Sequence, residues 1–408
     1  MKFFNTIRVD KAKELLRENF KDLIIATEAV DILKSKDRIL AKDIYSAINV
    51  PEFNRSTVDG YAILTKDSHG STTSIPAMLN VVGKVKMGEY INQEINAGQA
   101  MYVPTGGMNP RGADGVIMIE DVELIDEETL LLYKPISNGS NIILKGDDIK
   151  KDELTLDKGT RLNPEHIGVL ASLGISKVEV YEKIKFYIIS TGDEIIDIDE
   201  ELTIGKVRDI NAYTLAAMIE DIGGEVVGKN IINDDYELLR REVDKALDIA
   251  HMVLISGGSS VGTMDYTHKV IDSFQGKGVF VHGLSIKPGK PTIIGEGKNK
   301  PIIGLPGHPI SSIVVFKAIV EEFIENKLGQ EIIKSTVHAI LDSNFPSSPG
   351  KETYHMVKLR KEKNKYIASP VFGKSGMISL MAKSNGYIII EDHEEGIYKG
   401  EERQIYLF

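Results

Sequence analysis

Residues 254–266 read LISGGSSVGTMDY, and this stretch decides the fold that we expect for the 408-residue chain. An apolar run ends in a loop of glycines and serines, and a helical pattern follows. This order predicts a strand, a loop and a helix, with the loop beyond the carboxyl end of the strand. Glycines let backbone N–H groups approach a ligand, and a helix start favours an anion. The segment therefore predicts an oxyanion site, although a glycine-rich loop alone is as typical of an ordinary turn.

The same alternation of strands and helices extends over residues 182–332. Apolar runs such as KFYIIS, EVVGKNII and MVLIS are separated by helical patterns such as NAYTLAAMIEDIGG and DDYELLRREVDKALDIA, and SSIVVFKAIVEEFIENKLG predicts a final long helix. Strands that alternate with helices pair in parallel and carry helices on both faces of the sheet. We therefore expect an α/β domain with a doubly wound parallel sheet and a ligand crevice beyond the carboxyl ends of its strands.

The pattern of apolar and turn-forming residues is different outside residues 182–332. Short β-like runs interrupted by Gly, Asn and Pro predict two β-rich regions. The first fifty residues look helical, with Asp10 as the expected cap of the first helix. A helix and a strand are expected again near residues 146–181. The predicted domains are a discontinuous mixed α/β domain at 1–52 and 146–181, a β-rich domain at 53–145, the α/β domain at 182–332, and a C-terminal β domain at 333–408.

Composition excludes several classes of protein. The net charge of −11 argues against a general nucleic-acid binder, because phosphate backbones are held by clustered Lys and Arg. The absence of cysteine rules out disulfides and thiolate metal sites. No apolar run approaches the ~18 residues that span a bilayer. The first residues, MKFFNTIRVDKAKELL, carry charges throughout, unlike a signal peptide, so we expect a cytoplasmic protein.

Acids follow three strands of the predicted sheet. STGDEI (190–195) carries Glu194, IINDDY (231–236) carries Asp234, and Asp265 follows the glycine-rich loop. An acid beside an anion cradle is repulsive unless a cation lies between them, and Mg²⁺ binds carboxylates and phosphate oxygens together. Each acid alone is more typical of a helix cap. Three acids that each follow a strand of the same sheet nevertheless favour a shared cation site.

Two further loops carry candidate anion ligands. SIKPGKPTIIG (285–295) holds Lys287 and Lys290 around a Pro-Gly pair that restrains the backbone, although a pair of surface lysines is an equally common interpretation. GLPGHPISS (304–312) leads into the long helix and contains His308. In the β-rich region, composition alone gives no role to Asp59 or Thr105.

Taken together and in order, the motifs resemble those of MoeA-type molybdopterin molybdenumtransferases, relatives of the E domain of gephyrin. The resemblance covers essentially the whole chain. It implies an elongated homodimer of four-part subunits, with a cleft between the α/β domain of one subunit and the β-rich domain of its partner. The motifs that carry it are NRSTVDGYA, VPTGGMNPRGADGVIMIED, ISTGDEI, LISGGSSVGTMDY, IKPGKPTI, GLPGHPIS and SGMISLMAKSNGYIII.

The resemblance also implies a reaction, in which molybdate is inserted into adenylylated molybdopterin and a Mg²⁺-dependent hydrolysis releases AMP. On this basis Glu194, Asp234 and Asp265 would hold Mg²⁺. The expected catalytic residues are Asp59, Thr105, Glu194, Asp234, Asp265, Lys287 and Lys290. The expected substrate-binding residues are Ser190, Thr191, Gly192, Gly257, Gly258, Ser259, Ser260, Gly262, Pro306 and Gly307.

The chain departs from the family pattern at several positions. His308 stands where an asparagine is usual, and Lys351 stands where an arginine is common. Alternatives to the main prediction are a tungsten-inserting paralogue, a molybdopterin adenylyltransferase and a non-catalytic scaffold like that of gephyrin. A molybdopterin adenylyltransferase and molybdoenzyme apoproteins are conceivable partners, whereas neither nucleic acid nor a membrane is expected to bind.

Overall fold

A computed structural model describes residues 5–257, 263–330 and 334–408, apart from the side chains of residues 263–265. Helix α1 spans Val9–Asn19 and is the one α-helix within residues 5–163, so the expectation of helices across the first fifty residues is wrong beyond α1. Asp10 is not the cap, because the helix already begins at Val9 and Asp10 lies in its first turn. The chain then forms the strands β1 (Thr27–Asp31) and β2 (Ile44–Tyr45).

The next region is built from strands, as expected. A six-stranded sheet has the order β7-β4-β6-β5-β9-β8. Alternate side chains enter two separate cores, with Ile63 and Ile117 in one and Ala62 and Val116 in the other. The strands of this region are β3 (Arg55–Ser56), β4 (Gly60–Ile63), β5 (Ala77–Lys84), β6 (Gln99–Val103), β7 (Gly115–Met118), β8 (Val122–Leu124), β9 (Thr129–Leu132) and β10 (Ile142–Ile143).

The chain then returns to its N-terminal strands. Strand β11 (Leu154–Leu156) pairs with β2, helix α2 spans Pro164–Ser172, and strand β12 (Lys177–Tyr181) pairs antiparallel with β1. Helix α1 lies elsewhere, because its buried side chains join the core of the following α/β unit. The exact domain boundaries remain a prediction.

The α/β unit contains a six-stranded sheet with the order β16-β13-β17-β21-β20-β18. Strands β16, β13, β17 and β21 are parallel, which confirms the doubly wound arrangement. Elements of the unit are β13 (Lys185–Thr191), β14 (Ile195–Ile196), β15 (Val207–Arg208), α3 (Ile210–Asp221), β16 (Glu225–Ile232), α4 (Tyr236–Ile249), β17 (Met252–Gly257), α5 (Thr263–Asp272), β18 (Gly278–His282), β19 (Ile286–Lys287), β20 (Ile293–Gly297) and β21 (Lys300–Leu305).

The sheet is not wholly parallel, because β20 and β18 run antiparallel to their neighbours. Lys298 and Asn299 join β20 to β21 with φ angles of 52° and 61°. Two successive positive φ values are typical of a tight hairpin turn, which allows only an antiparallel return. The missed signal is the short GKNK turn between two apolar runs.

Helices cover both faces of this sheet. Leu215 of α3 and Leu16 of α1 lie in one core, whereas Leu239 of α4 and Val270 of α5 lie in the other. The long final helix is confirmed and consists of α6 (Pro309–Val315), a π-helical turn (Phe316–Glu321) and α7 (Glu322–Leu328). None of the helices in the described ranges is both long and apolar enough to cross a membrane.

The C-terminal region forms a barrel. Its strands follow the order β24-β25-β22-β28-β26, and an additional pairing between β24 and β26 closes the sheet. Strand β19 of the α/β unit pairs with β24 and so joins the two regions. Elements of the barrel region are β22 (Thr336–Leu341), β23 (Phe345–Pro346), β24 (Glu352–Glu362), β25 (Lys365–Pro370), α8 (Ser379–Lys383), β26 (Gly386–Ile390), β27 (Gly396–Ile397) and β28 (Glu402–Leu407).

Candidate active site

The carboxyl ends of the parallel strands meet along one edge of the central sheet, which we call the rim. Thr191, the last residue of β13, lies opposite Ile232 of β16 and Gly257 of β17. Ser256 of β17 in turn lies opposite Leu305 of β21. The loops that begin after these residues therefore start side by side, although they are far apart in the sequence.

Two hydroxyl groups at the rim have no hydrogen-bond partner within residues 5–257, 263–330 and 334–408. Ser190 and Thr191 are buried, and neither hydroxyl oxygen has a hydrogen-bond partner among the described residues. A Cβ atom added to Gly257 would lie 2.6 Å from the Thr191 Oγ1 atom. A larger residue at position 257 would therefore displace this hydroxyl. Because buried hydroxyls are normally paired, this arrangement fits a ligand that supplies the missing hydrogen bonds.

Three carboxylates crowd the same edge. Burial raises the pKa of Asp234, and the nearby Asp193 and Glu194 raise it further. The Asp234 Oδ1 atom is buried and has no hydrogen-bond partner in the described part of the chain. The adjacent Asp235 is different, since it caps helix α4 by accepting a hydrogen bond from the Leu238 N–H at 2.8 Å. The structure thus separates a capping acid, Asp235, from Asp234, which is partly buried and crowded by two other carboxylates.

This carboxylate cluster is only part of the predicted cation site. Among the described residues, no three His, Asp or Glu side chains converge as metal ligands. The third expected ligand, Asp265, lies in the first turn of α5, and its side chain is outside the described residues. The uncompensated charge of Asp234 and the oxygen-only donor set do fit a hard cation such as Mg²⁺.

A cavity of about 270 Å³ opens beside the rim. Asn211 forms one wall, and its Nδ2 atom donates hydrogen bonds to the Ser256 Oγ at 2.7 Å and to the Gly307 carbonyl at 2.9 Å. This amide thereby holds the carboxyl end of β17 and the loop after β21 against helix α3. The described lining residues with polar side chains are Glu194, Arg208, Asp209, Asn211, Ser256 and His308.

The two predicted lysines, Lys287 and Lys290, lie at the same edge of the sheet as the rim but do not line the cavity. Ile293 of β20 lies opposite both His282 and Gly304, so the segment between β18 and β20 leaves the sheet at the rim edge. Lys287 and Lys290 of this segment are exposed. The Lys287 Nζ donates a hydrogen bond to the Ser348 Oγ of the barrel region at 2.7 Å. Lys287 thus bridges the α/β unit and the C-terminal barrel.

Asp59 and Thr105 lie together in the second region of the chain. The Asp59 Oδ1 atom accepts a hydrogen bond from the Thr105 backbone N–H at 2.8 Å. The turn around them is closed by backbone bonds, including Gly106 N to Ser56 O at 2.8 Å. Neither residue belongs to the described lining of the rim cavity. Within one chain, the predicted site therefore consists of separate parts.

Comparison with known proteins identifies the family. Residues 7–174 match the MoeA N-terminal region (domain I and II), residues 187–326 match a probable molybdopterin binding domain, and residues 338–408 match the MoeA C-terminal region (domain IV). The chain is 34% identical to a putative molybdopterin biosynthesis protein of Methanocaldococcus jannaschii, over 100% of this chain and 97% of the relative. The chain belongs to the MoeA family.

Other MoeA relatives agree. A molybdopterin molybdenumtransferase of Haemophilus influenzae is 33% identical over 92% of both chains. The crystal structure of a MoeA protein from Pyrococcus horikoshii superposes with a TM-score of 0.83 at 32% identity, covering 99% of this chain and 100% of that one. The predicted family, its multidomain fold, the enzyme class and a role in molybdenum cofactor biosynthesis are confirmed.

The predicted site residues of this MoeA-family chain fall into four groups. The structure brings Ser190, Thr191, Gly192, Glu194, Asp234, Gly257, Pro306 and Gly307 to the rim, and it places Asp59 beside Thr105. Lys287 and Lys290 lie on a separate turn at the same edge. Gly258, Ser259, Ser260, Gly262 and the Asp265 side chain lie outside the described residues, so their roles stay predictions.

Sequence reasoning missed three residues of the MoeA rim. Arg208, Asp209 and Asn211 line the cavity, but RDIN appears in the sequence only as the start of a helix. Asp209 caps α3 by accepting from the Ala212 N–H at 3.0 Å. Asn211 in the first turn has no intrahelical reason to be polar, and this is the signal that would have found it.

Proposed function

We propose that this chain inserts molybdenum from molybdate into adenylylated molybdopterin, and that the accompanying hydrolysis releases AMP and depends on Mg²⁺. One observation carries the proposal: the buried oxygens of Ser190, Thr191 and Asp234 at the rim have no partners among the described residues. Family membership and the names of the relatives supply the reaction, and the rim supplies a place with the required chemistry.

The hydroxyls would bind the phosphate end of the substrate. Each Ser or Thr hydroxyl donates one hydrogen bond and accepts others, so it can serve either a phosphate oxygen or a water. Their burial makes the cost of leaving them unpaired high, about 1–3 kcal/mol for each group. Binding of the phosphate end would remove that cost, which favours the bound state.

The acids Glu194, Asp234 and Asp265 would hold the cation. Bound Mg²⁺ would neutralise phosphate charge and polarise the bond that is broken. Asp234 has the strongest reason to bind it, because burial and two neighbouring carboxylates already disfavour its charged form. In this proposal the side chain of Asp234 is the principal cation ligand, and Glu194, which lines the cavity, completes the site with Asp265 and orients water.

Lys287 and Lys290 would bind the second anion, molybdate. The sheet order places β20 three strands from β13 and four from β16, so at the usual strand spacing the strand that follows the lysine turn lies about 14 Å from β13 and about 19 Å from β16. That separation suits a long substrate with phosphates at one end and the metal-binding dithiolate at the other. It also explains why the lysines do not neutralise Asp234 directly.

The chain would act as a homodimer. Asp59 and Thr105 are joined by a hydrogen bond, but neither residue lines the rim cavity of its own chain. We propose that they reach the pterin–phosphate end of a substrate bound at the rim of the partner subunit. This proposal would make each cleft a product of two chains.

The test is an AMP-release assay. Purified protein is mixed with adenylylated molybdopterin, molybdate and MgCl₂, and AMP is measured by chromatography, with Asp265→Ala as the matched variant. We expect AMP release that stops with EDTA and falls strongly in the variant. Absence of AMP release from a folded wild-type protein would refute the proposal.

Parallel reactions separate the alternatives. Tungstate in place of molybdate tests a tungsten-inserting enzyme. ATP with free molybdopterin tests an adenylyltransferase, for which pyrophosphate rather than AMP would appear. A scaffold protein would give neither product, and would tolerate Asp265→Ala without loss of its protein partner in a pull-down.

A further inference from the structure

We infer that His308 is a positioning residue that fastens the C-terminal barrel onto the rim cavity. The His308 Nδ1 atom lies 2.9 Å from the Ser375 Oγ, and the two residues are 67 positions apart in the chain. Gly376, the next residue, lines the same cavity as His308 and Glu194. The barrel region therefore contributes Gly376 to the wall of the cavity, and the side chain of the residue before it contacts the α/β unit at this histidine.

The turn that carries His308 is fixed on its other side. Asn211 donates to the Gly307 carbonyl at 2.9 Å, which ties the turn to helix α3. Directly after the turn, the Ile310 N–H donates to the Ser375 carbonyl at 3.2 Å. The turn is thus held by helix α3 on one side of His308, and on the other side Ile310 contacts the same serine as His308 does.

The barrel segment around Ser375 packs into the core of the α/β unit on both sides, through Val371 and Leu380. Gly373 packs against Leu380, since a Cβ at position 373 would lie 2.6 Å from its side chain. Ser375 is then held by His308 and by the Ile310 N–H, and Gly376 follows with no side chain of its own. Loss of the histidine contact would leave the Ile310 N–H as the remaining hydrogen-bond partner of Ser375 from the α/β unit in the described part of the chain. We therefore expect this wall of the cavity to loosen while the sheet behind the rim stays intact.

The chemistry of the ring defines a matched pair of variants. The Nδ1 atom is bonded to Cγ, and asparagine likewise carries its amide atoms on Cγ. His308→Asn therefore keeps a polar atom within reach of Ser375, whereas His308→Gln moves the amide one carbon further out. If the contact matters, asparagine should replace histidine better than glutamine or alanine does.

The expected kinetic consequence rests on the proposed function. Because His308 acts through the wall and not through the rim acids, its loss should weaken substrate binding more than it slows the reaction. For His308→Ala we expect KM for adenylylated molybdopterin to rise about tenfold while kcat changes less than about threefold. His308→Asn should stay within about threefold of wild type in both constants.

The structural test does not depend on activity. Hydrogen exchange of the segment 373–378 is compared in wild type, His308→Ala, Ser375→Ala, the double variant and His308→Asn. We expect exchange about five- to tenfold faster in either alanine variant, no further increase in the double variant, and wild-type behaviour in His308→Asn. Exchange at Asn211 and in β13 serves as the internal control and should not change.

Each result decides one way. Unchanged exchange in His308→Ala, or additive effects of the two alanine substitutions, would overturn the positioning role. If wild-type protein releases no AMP, the proposed function fails, and the exchange data still decide the His308 contact. Calorimetric titration with AMP in the presence of molybdate then replaces the kinetic readout, with binding about tenfold weaker expected for His308→Ala.

Discussion

The rim of the central sheet and the Asp59–Thr105 turn are both predicted parts of one site, but they are built in opposite ways. At the rim, Asp234 is crowded by Asp193 and Glu194, and several buried oxygens have no partner within the described residues. In the turn, the Asp59 carboxylate already accepts a backbone hydrogen bond. Among the described residues, the rim therefore holds buried oxygens without partners, whereas the Asp59 carboxylate has one.

We therefore expect the rim to bind the ligand and the turn to present a carboxylate to a ligand on the partner subunit. A region with uncompensated charge and unpaired oxygens lowers its free energy when ligand and cation bind. A satisfied turn gains little from binding, but it can hold one carboxylate oxygen in a fixed position for a neighbouring subunit. Stability and activity should therefore respond in opposite directions at the rim and independently of each other in the turn.

The largest expected effect is at Asp234. Asp234→Asn removes the charge that would hold the cation, so AMP release should fall on the order of 100-fold or more. The same change relieves repulsion from Asp193 and Glu194, so the melting temperature measured without ligand should rise by about 1–3 °C. A loss of activity together with a loss of stability would show instead that Asp234 is structural.

The next prediction tests whether the rim of one subunit and the Asp59–Thr105 turn of its partner form one cleft. Asp59→Asn and Asp234→Asn should each be inactive alone if the cleft combines two chains. After subunit exchange, half of the dimers carry one altered chain of each kind, and one of their two clefts is then free of substitutions. The mixture should therefore regain about a quarter of the wild-type rate of AMP release, because isologous dimers exchange residues in both directions.

No recovery on mixing, with subunit exchange verified by mass spectrometry, would place Asp59 outside the cleft of the partner. Thr105 provides a control, since Asp59→Asn retains an oxygen that can accept its N–H. The turn should keep its fold, and the circular dichroism melting curve of this variant should match that of wild type.

A smaller effect is expected where the rim is braced. Asn211→Ala leaves the Gly307 carbonyl and the Ser256 hydroxyl without their donor. We expect kcat/KM for AMP release to fall about tenfold, in line with the loss of two neutral hydrogen bonds. Asn211→Asp keeps the shape but replaces the donor with a charge, so it should be at least as slow. Full activity in both variants would show that the brace is dispensable.

The smallest effect tests whether a buried acid alone marks a site. Glu325 in α7 is buried, its Oε1 atom has no partner in the described ranges, and burial followed by the nearby Glu321 raises its pKa. A raised carboxyl pKa means that ionisation costs folding stability as pH rises. Glu325→Gln should therefore raise the melting temperature by about 1–3 °C at pH 8 and by less as pH falls through the raised pKa.

The rate of AMP release should be unchanged in Glu325→Gln, because the acid does not line the rim cavity. A fall in activity comparable to that of Asp234→Asn would show that a buried acid away from the rim affects the reaction as strongly as one at the rim. Melting curves at pH 5 and pH 8, recorded beside the activity assay, make this comparison directly.

Much of this protein could be predicted from local patterns. Apolar runs and helical periodicity located β13, β16, β17 and the helices between them. Strands β13 and β17 have continuous apolar residues because both of their faces are buried, whereas the edge strand β16 is only partly buried. The acids of the rim were also visible as residues that follow strands. The GKNK hairpin was missed because its two-residue turn looks like any polar break, and Asn211 was missed because it sits inside a helical pattern.

The sequence alone determined the family, the alternation of strands and helices from β13 to β17, and the set of chemical groups available to the site. Tertiary structure decided which groups share an edge: it separated the capping Asp235 from the crowded Asp234, and it brought Ser375 to His308. The physical reason is that periodicity and composition act over a few neighbouring residues. Strand register and domain packing, in contrast, bring together side chains that the sequence keeps tens of residues apart.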